Sequence, residues 1–270
     1  MVENIRAHER IKDKPVSGTS IALTTILPKP VEVYIPDIGK NTDLTTLLIH
    51  LHGGAFIPRH AVIHSEKPVI LAAVNLGFGS SVYERAFLSE GVFGALIDSI
   101  SHLVSEKGFR HREFTNIHLT SFSAGYGAVR ALLKNHMDVI DGLILLDGLH
   151  TSYVPDRKVL HEGGVLNTEI LEVFLEFARQ AAEGRKRLLI THSEIFPGTY
   201  ASTTETADYI IKSLGLKRMP VVKWGPVGMQ LVSETSVNGL TILGFAGNTA
   251  PDHVDHLHGL PVFLEKILGE

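Results

Sequence analysis

Ser121-Phe122-Ser123-Ala124-Gly125 lies where an apolar run, residues 116–122, passes directly into a segment carrying Tyr126, Val129, Leu132 and Leu133 at helical spacing. A serine at such a strand-to-helix junction is held in a strained turn that lifts its hydroxyl clear of the sheet. The N–H of the following residue, Ala124, then faces the same side. The chemistry served is attack by the Ser123 hydroxyl on a carbonyl carbon, with Ala124 N–H receiving the charge that gathers on the oxygen. The small residues Ser121 and Gly125, two before and two after, let strand and helix approach closely. The plain alternative is a turn in which the serine only caps a helix.

A second element lies upstream, where the run over residues 45–51 ends in His52, Gly53, Gly54 and Ala55. Paired glycines allow the backbone to turn its N–H groups toward a bound oxygen. Downstream, the loop after residues 240–245 carries three histidines, His253, His256 and His258, and two carboxylates, Asp147 and Glu194, end separate apolar runs. A serine becomes a useful nucleophile when an imidazole takes its proton and a carboxylate fixes the imidazole's tautomer.

The HGGAF segment followed by SFSAG, within alternating strand and helix patterns, resembles the α/β-hydrolase family, in its esterase and lipase branch, from about residue 44 to the end. Two positions depart from the family's motifs: Ser121 stands for the first glycine of GxSxG, and Ala55 for the last glycine of HGGG. The resemblance implies a serine hydrolase that cleaves a carboxylic ester through an acyl-enzyme, with no metal or organic cofactor and a small-molecule ester as substrate. It implies Gly54, with Ala55 beside it, as oxyanion donor alongside Ala124. It also implies the chain order nucleophile, acid, histidine. His253, at the start of a helical turn from which an imidazole reaches back to the serine, is favoured as base over His256, and His258 is expected to point elsewhere. The family's commoner acid position, after the later strand, favours Glu194. Asp147 is preferred because it closes a wholly apolar run beside Gly148, His150 and Tyr153, polar company that is costly to bury without a purpose. Arg59, His60 and Tyr200 are candidates for the pocket wall. An amidase, thioesterase or perhydrolase would use the same groups.

Two rival readings stand beside this one. His50-x-His52 and His253-x-Asp255-His256 have ligand-like spacings within a chain of 15 histidines, which suits a metal-dependent hydrolase. A non-catalytic member of the same fold, using the pocket only to bind, is the other.

The elements that must position these residues follow from the pattern. Short apolar runs, at residues 45–53, 69–76, 116–125, 140–148, 186–193 and 240–247, alternate with helical stretches such as residues 91–104. That is the signature of a doubly wound α/β fold, a mostly parallel sheet covered by helices on both faces, with its chemistry at the carboxyl ends of the strands. Residues 1–40 read as an antiparallel N-terminal segment with strands near 20–27 and 31–36, and residues 1–270 as a single domain without repeats or linkers. Between Asp147 and Lys186 there is room for one helix and a short loop, not a large lid.

The formal net charge of −4 provides no field suited to nucleic acid, and no apolar run reaches the roughly 20 residues of a membrane span. The absence of cysteine removes thiolate chemistry and disulfides and says little about compartment. The polar N-terminal residues lack the apolar core of a secretion signal, so a cytoplasmic location is expected. Oligomeric state is not legible.

Overall fold

The computed structural model describes residues 7–37, 42–111 and 113–269. The alternating runs become β1 (Thr19–Leu23), β2 (Val31–Ile35), β3 (Thr46–Leu51), α1 (Phe56–His64), β4 (Val69–Val74), α2 (Ser80–Ala86), α3 (Glu90–Glu106), β5 (Asn116–Phe122), α4 (Tyr126–His136) and β6 (Gly142–Leu146). A two-stranded ribbon follows, β7 (Tyr153–Val154) with β8 (Val165–Leu166). Then come α5 (Glu172–Ala182), β9 (Arg187–His192), α6 (Thr203–Ser213), β10 (Met219–Trp224), β11 (Gln230–Val237), β12 (Leu240–Phe245), α7 (Ala250–His258) and α8 (Leu260–Leu268).

Ten strands form one sheet in the order β1-β2-β4-β3-β5-β6-β9-β12-β11-β10. The six from β4 to β12 run parallel, and antiparallel strands close both edges. The reason is visible in β4 and β6, whose residues are buried throughout because helices cover both faces. Successive residues serve opposite layers: Leu47, Ile49 and Leu51 of β3 pack with α3, α4, α5 and α6, while Leu48 between them packs with α1 and α8. This is the expected doubly wound, mostly parallel α/β fold.

The chain winds from β3 to β4 on one side and places β5 on the other, so the order reverses at β3. A crevice opens at such a switch point, at the carboxyl ends of the flanking strands. The N-terminal pair is antiparallel, with Ala22 opposite Glu32, but β1 stops at Leu23 rather than reaching residue 27; residues 1–6 and 38–40 of that expected segment lie outside the described residues. The hairpin β10–β11, absent from the sequence reading, adds two antiparallel strands beyond β12. The interval after Asp147 holds the β7–β8 ribbon as well as helix α5.

Candidate active site

Ser123 opens a 3₁₀ turn between β5 and α4 with φ of 46°, a left-handed conformation that serine rarely adopts. Its neighbours leave no slack. A Cβ on Gly125 would lie 2.2 Å from the Leu51 carbonyl oxygen, and one on Gly148 would lie 2.7 Å from Ser123 N and 2.6 Å from Ser123 O. The elbow is thus held between the ends of β3 and β6, both approaching through glycine. Ser121, which replaces the motif's first glycine, is buried, and its hydroxyl has no hydrogen-bond partner among the described residues.

Asp147 follows β6 with φ of 42° and is 2% exposed. One carboxylate oxygen accepts from Ser193 N at 2.9 Å and Thr203 Oγ1 at 2.5 Å, the other from Ser193 Oγ at 2.8 Å. His253, at the first turn of α7, places Nδ1 2.7 Å from that second oxygen. Burial would raise the carboxyl's pKa; the neighbouring His256, the bond and charge of His253, and the Thr203 hydroxyl outweigh it and hold the group well below the carboxylate range. An ionised Asp147 accepts only, so the proton between them sits on Nδ1 and leaves Nε2 of the neutral ring as a base. Thr249 and Asp252 cap α7 reciprocally, with Pro251 in its first turn, and this sets the start of the helix that carries His253. The ring rests on Phe122, the residue before the serine, at 4.6 Å between centroids, and His52 stacks on Phe122 at 5.9 Å.

Two cavities meet at Ser123. The larger, about 500 Å³, has Ala124, Tyr126, Arg130 and Ile170 in its wall; the smaller, about 260 Å³, has Asp147, Ser193, Asn248 and His253. Ser123, His150 and Tyr200 belong to both. Burial lowers the pKa of His150 and, at the end of β3, of His52.

Other predicted residues lie elsewhere. Glu194 is exposed and bonded to the Gly247 backbone, so it stands clear of the imidazole it was weighed for. His256 is buried against Thr191 Oγ1 at 2.7 Å and edge-on to Phe245, and it lines neither cavity, because one helical turn carries it under the sheet. His258 accepts from Ile11 N at 3.0 Å. Arg59 pairs with Glu32 and Asp13 and, with His60, flanks a different cavity beside the N-terminal arm; Tyr200 alone of the three expected wall residues reaches the serine. Ala124 lines the larger cavity, whereas Gly54 lines neither, its carbonyl accepting from Ile57 N at the start of α1.

The metal-type spacings are dispersed by the fold. His50 bonds Thr120, His52 bonds Tyr83, and His253, Asp255 and His256 engage Asp147, His8 and Thr191 respectively. Among the described residues, the group of three His and Asp side chains close enough to share an ion is His8, Asp252 and Asp255, and Arg10 donates to Asp255 there at 3.1 Å. Ser193 and Thr203, which hold the carboxylate, were missed from sequence. The available signal for Ser193 was its place at the end of the run beside the one closed by Asp147.

No protein-family model and no curated protein sequence matches the chain. Among solved structures it is similar to the feruloyl esterase module from Clostridium thermocellum, solved with sinapinate, at 13% identity and a TM-score of 0.53, covering 95% of this chain and 93% of that one. A second structure, described as an FAE, matches at 14% identity, TM-score 0.53 and the same coverage. A carboxylesterase from Bacillus subtilis aligns at 10% identity and a TM-score of 0.45 over 93% and 92% of the two chains. The chain therefore has the α/β-hydrolase fold.

Proposed function

We propose that the protein is a serine hydrolase that cleaves carboxylic esters through an acyl-enzyme, with Ser123 as nucleophile, His253 as base and Asp147 as the acid that orients it. The observation carrying this reading is the 2.7 Å contact of His253 Nδ1 with the buried Asp147, in a cavity that the strained Ser123 shares. Nε2 of His253 takes the Ser123 proton as Oγ attacks the carbonyl, and Asp147 stabilises the imidazolium. Ala124 N–H, with Gly54 N–H as its proposed partner, receives the oxyanion. The imidazolium then protonates the departing alkoxide, and water repeats the sequence to release the acid.

The proton donor must reach the leaving group, which assigns the smaller cavity, where His253 lies, to the alcohol side and the larger to the acyl side. The similar feruloyl esterase module supports esters as the first substrates to try. Short nitrophenyl esters turned over by the wild type, by Ser123→Ala, by His253→Ala and by His256→Ala test the reading. Ser123→Ala and His253→Ala should each lose about 10⁴-fold or more in kcat, and His256→Ala far less. Turnover that survives in Ser123→Ala contradicts it.

A further inference from the structure

His150 lines both of the cavities that meet at Ser123. Its Nδ1 lies 3.0 Å from the Ala201 carbonyl oxygen, an atom that only accepts, so Nδ1 carries the hydrogen. Burial lowers the ring's pKa and so favours its neutral form, in which Nε2 has a lone pair. Tyr126 and Tyr200 hold the ring edge-on at 5.7 and 5.0 Å, fixing its plane. Among the described residues no donor occupies Nε2, and the mechanism above makes no use of it.

We propose that His150 Nε2 is a specificity-determining acceptor for a hydroxyl group carried by the substrate next to its scissile ester. The position dictates the adjacency: a residue shared by the acyl and alcohol cavities faces atoms within a few bonds of the carbonyl rather than the far end of either group. Two sources have this chemistry, an α-hydroxy acyl group and the free hydroxyl of a monoacylated vicinal diol. Of the other polar side chains in the wall of the larger cavity, Arg130 is engaged with Glu84, Thr151 Oγ1 with the Asn167 carbonyl at 2.7 Å and Ser152 Oγ with the Asn167 amide at 3.3 Å, which leaves His150 Nε2 as an acceptor open to a substrate hydroxyl. The proposal rests on the ester-hydrolase reading.

The test measures kcat/KM for two matched pairs, ethyl α-hydroxybutanoate against ethyl butanoate and glycol monobutanoate against propyl butanoate, each corrected for its rate of alkaline hydrolysis. The wild type should favour the hydroxyl member of one pair by roughly 10- to 100-fold, because the plain ester leaves a partly buried acceptor unpaired. The pair that responds identifies the source. His150→Asn keeps a donor for the Ala201 carbonyl but removes Nε2, and its ratio should fall toward one. His150→Gln can set an amide oxygen near the lost nitrogen and should restore part of the preference. A wild type that hydrolyses the plain esters with no hydroxyl preference in either pair overturns this proposal and leaves the ester-hydrolase reading standing. A preference undiminished in a folded His150→Asn also overturns it. A protein that hydrolyses neither member of either pair and is not labelled at Ser123 by a fluorophosphonate overturns both.

Discussion

The two ends of the parallel sheet are built on different terms. At the carboxyl end, three neighbouring strands, β3, β5 and β6, are each followed by a non-glycine residue in left-handed conformation, His52, Ser123 and Asp147, with φ of 75°, 46° and 42°. At the amino end the residues that open the same strands, Thr46, Asn116 and Gly142, have ordinary φ. Cavities of about 340 and 530 Å³ nevertheless lie at that end, the first lined by Asn116, His118 and Asp141 and both by Lys186 and Arg187, so cavity size alone does not single out the end that carries Ser123. Each left-handed residue costs about 1–2 kcal/mol, and such strain persists where it holds a side chain in a required position. Polar groups at the amino end finish the fold: Asp141 accepts from Ile117 N, and Lys186 donates to the Asp138 carbonyl.

Substitutions matched across the two ends sharpen this contrast. The largest effect is expected from Asp147→Asn, whose amide would favour the wrong tautomer of His253. Ester turnover should fall about 10⁴-fold, measured as kcat on a nitrophenyl ester, with the fold retained by circular dichroism.

Gly148→Ala and Gly142→Ala form a pair matched across the two ends. A Cβ on Gly148 meets the Ser123 backbone at 2.6 Å, while one on Gly142 meets His118 Nδ1 at 2.5 Å. Each should cost about 1–3 kcal/mol in denaturant unfolding. Only Gly148→Ala should also lower kcat/KM, by roughly 10²-fold, because it displaces Ser123, the proposed nucleophile. Equal activity losses at both ends would break the contrast.

The third concerns pH. Burial pushes His118 down to about 4, against a raising effect of Asp141 and a lowering one of Arg187, from an ordinary value of 6.5. The unfolded chain therefore binds more protons between those values, so stability rises with pH there and is lost on acidification from 6.5 toward 4, by at most about 1.4 kcal/mol per pH unit per proton. His118→Asn should flatten the slope of unfolding free energy against pH by up to one proton and leave ester turnover intact. An unchanged slope would mean that His118 is not held neutral by the fold.

The smallest effect is in the elbow itself. Ser123→Gly should be more stable than Ser123→Ala by about 1 kcal/mol, since glycine accepts the left-handed turn without strain. A lower melting temperature for the glycine variant would remove strain from the description of this site.

The parallel strands were legible because helices cover both faces of the sheet and leave runs such as residues 69–74 and 142–146 apolar throughout. The β10–β11 hairpin was not, because it is an edge: the inward positions of β11 include Ser233 and Thr235, and β10 exposes Met219, Val222 and Trp224, so neither reads as a buried run. At the site, residue types fixed by local backbone were readable. The strand-to-helix junction around Ser123 is local, and so is the polar company of Asp147. What sequence left open was which histidine and which carboxylate meet, since Asp147 and His253 are 106 residues apart and their 2.7 Å contact is made by tertiary packing. Ser193 and Thr203 were missed for the same reason: the place of Ser193 at the end of its run was readable, but a hydroxyl gives no sign of its partner until the packing that brings it to Asp147 is known.

The most direct measurement is to treat the folded protein with a fluorophosphonate and map the adduct by peptide mass spectrometry, beside Ser123→Ala. A serine activated by His253 and Asp147 should carry the adduct on the peptide containing Ser123, with none in the variant. An adduct on another residue, or a wild type that stays unlabelled while folded, would contradict the assignment of Ser123 as the nucleophile.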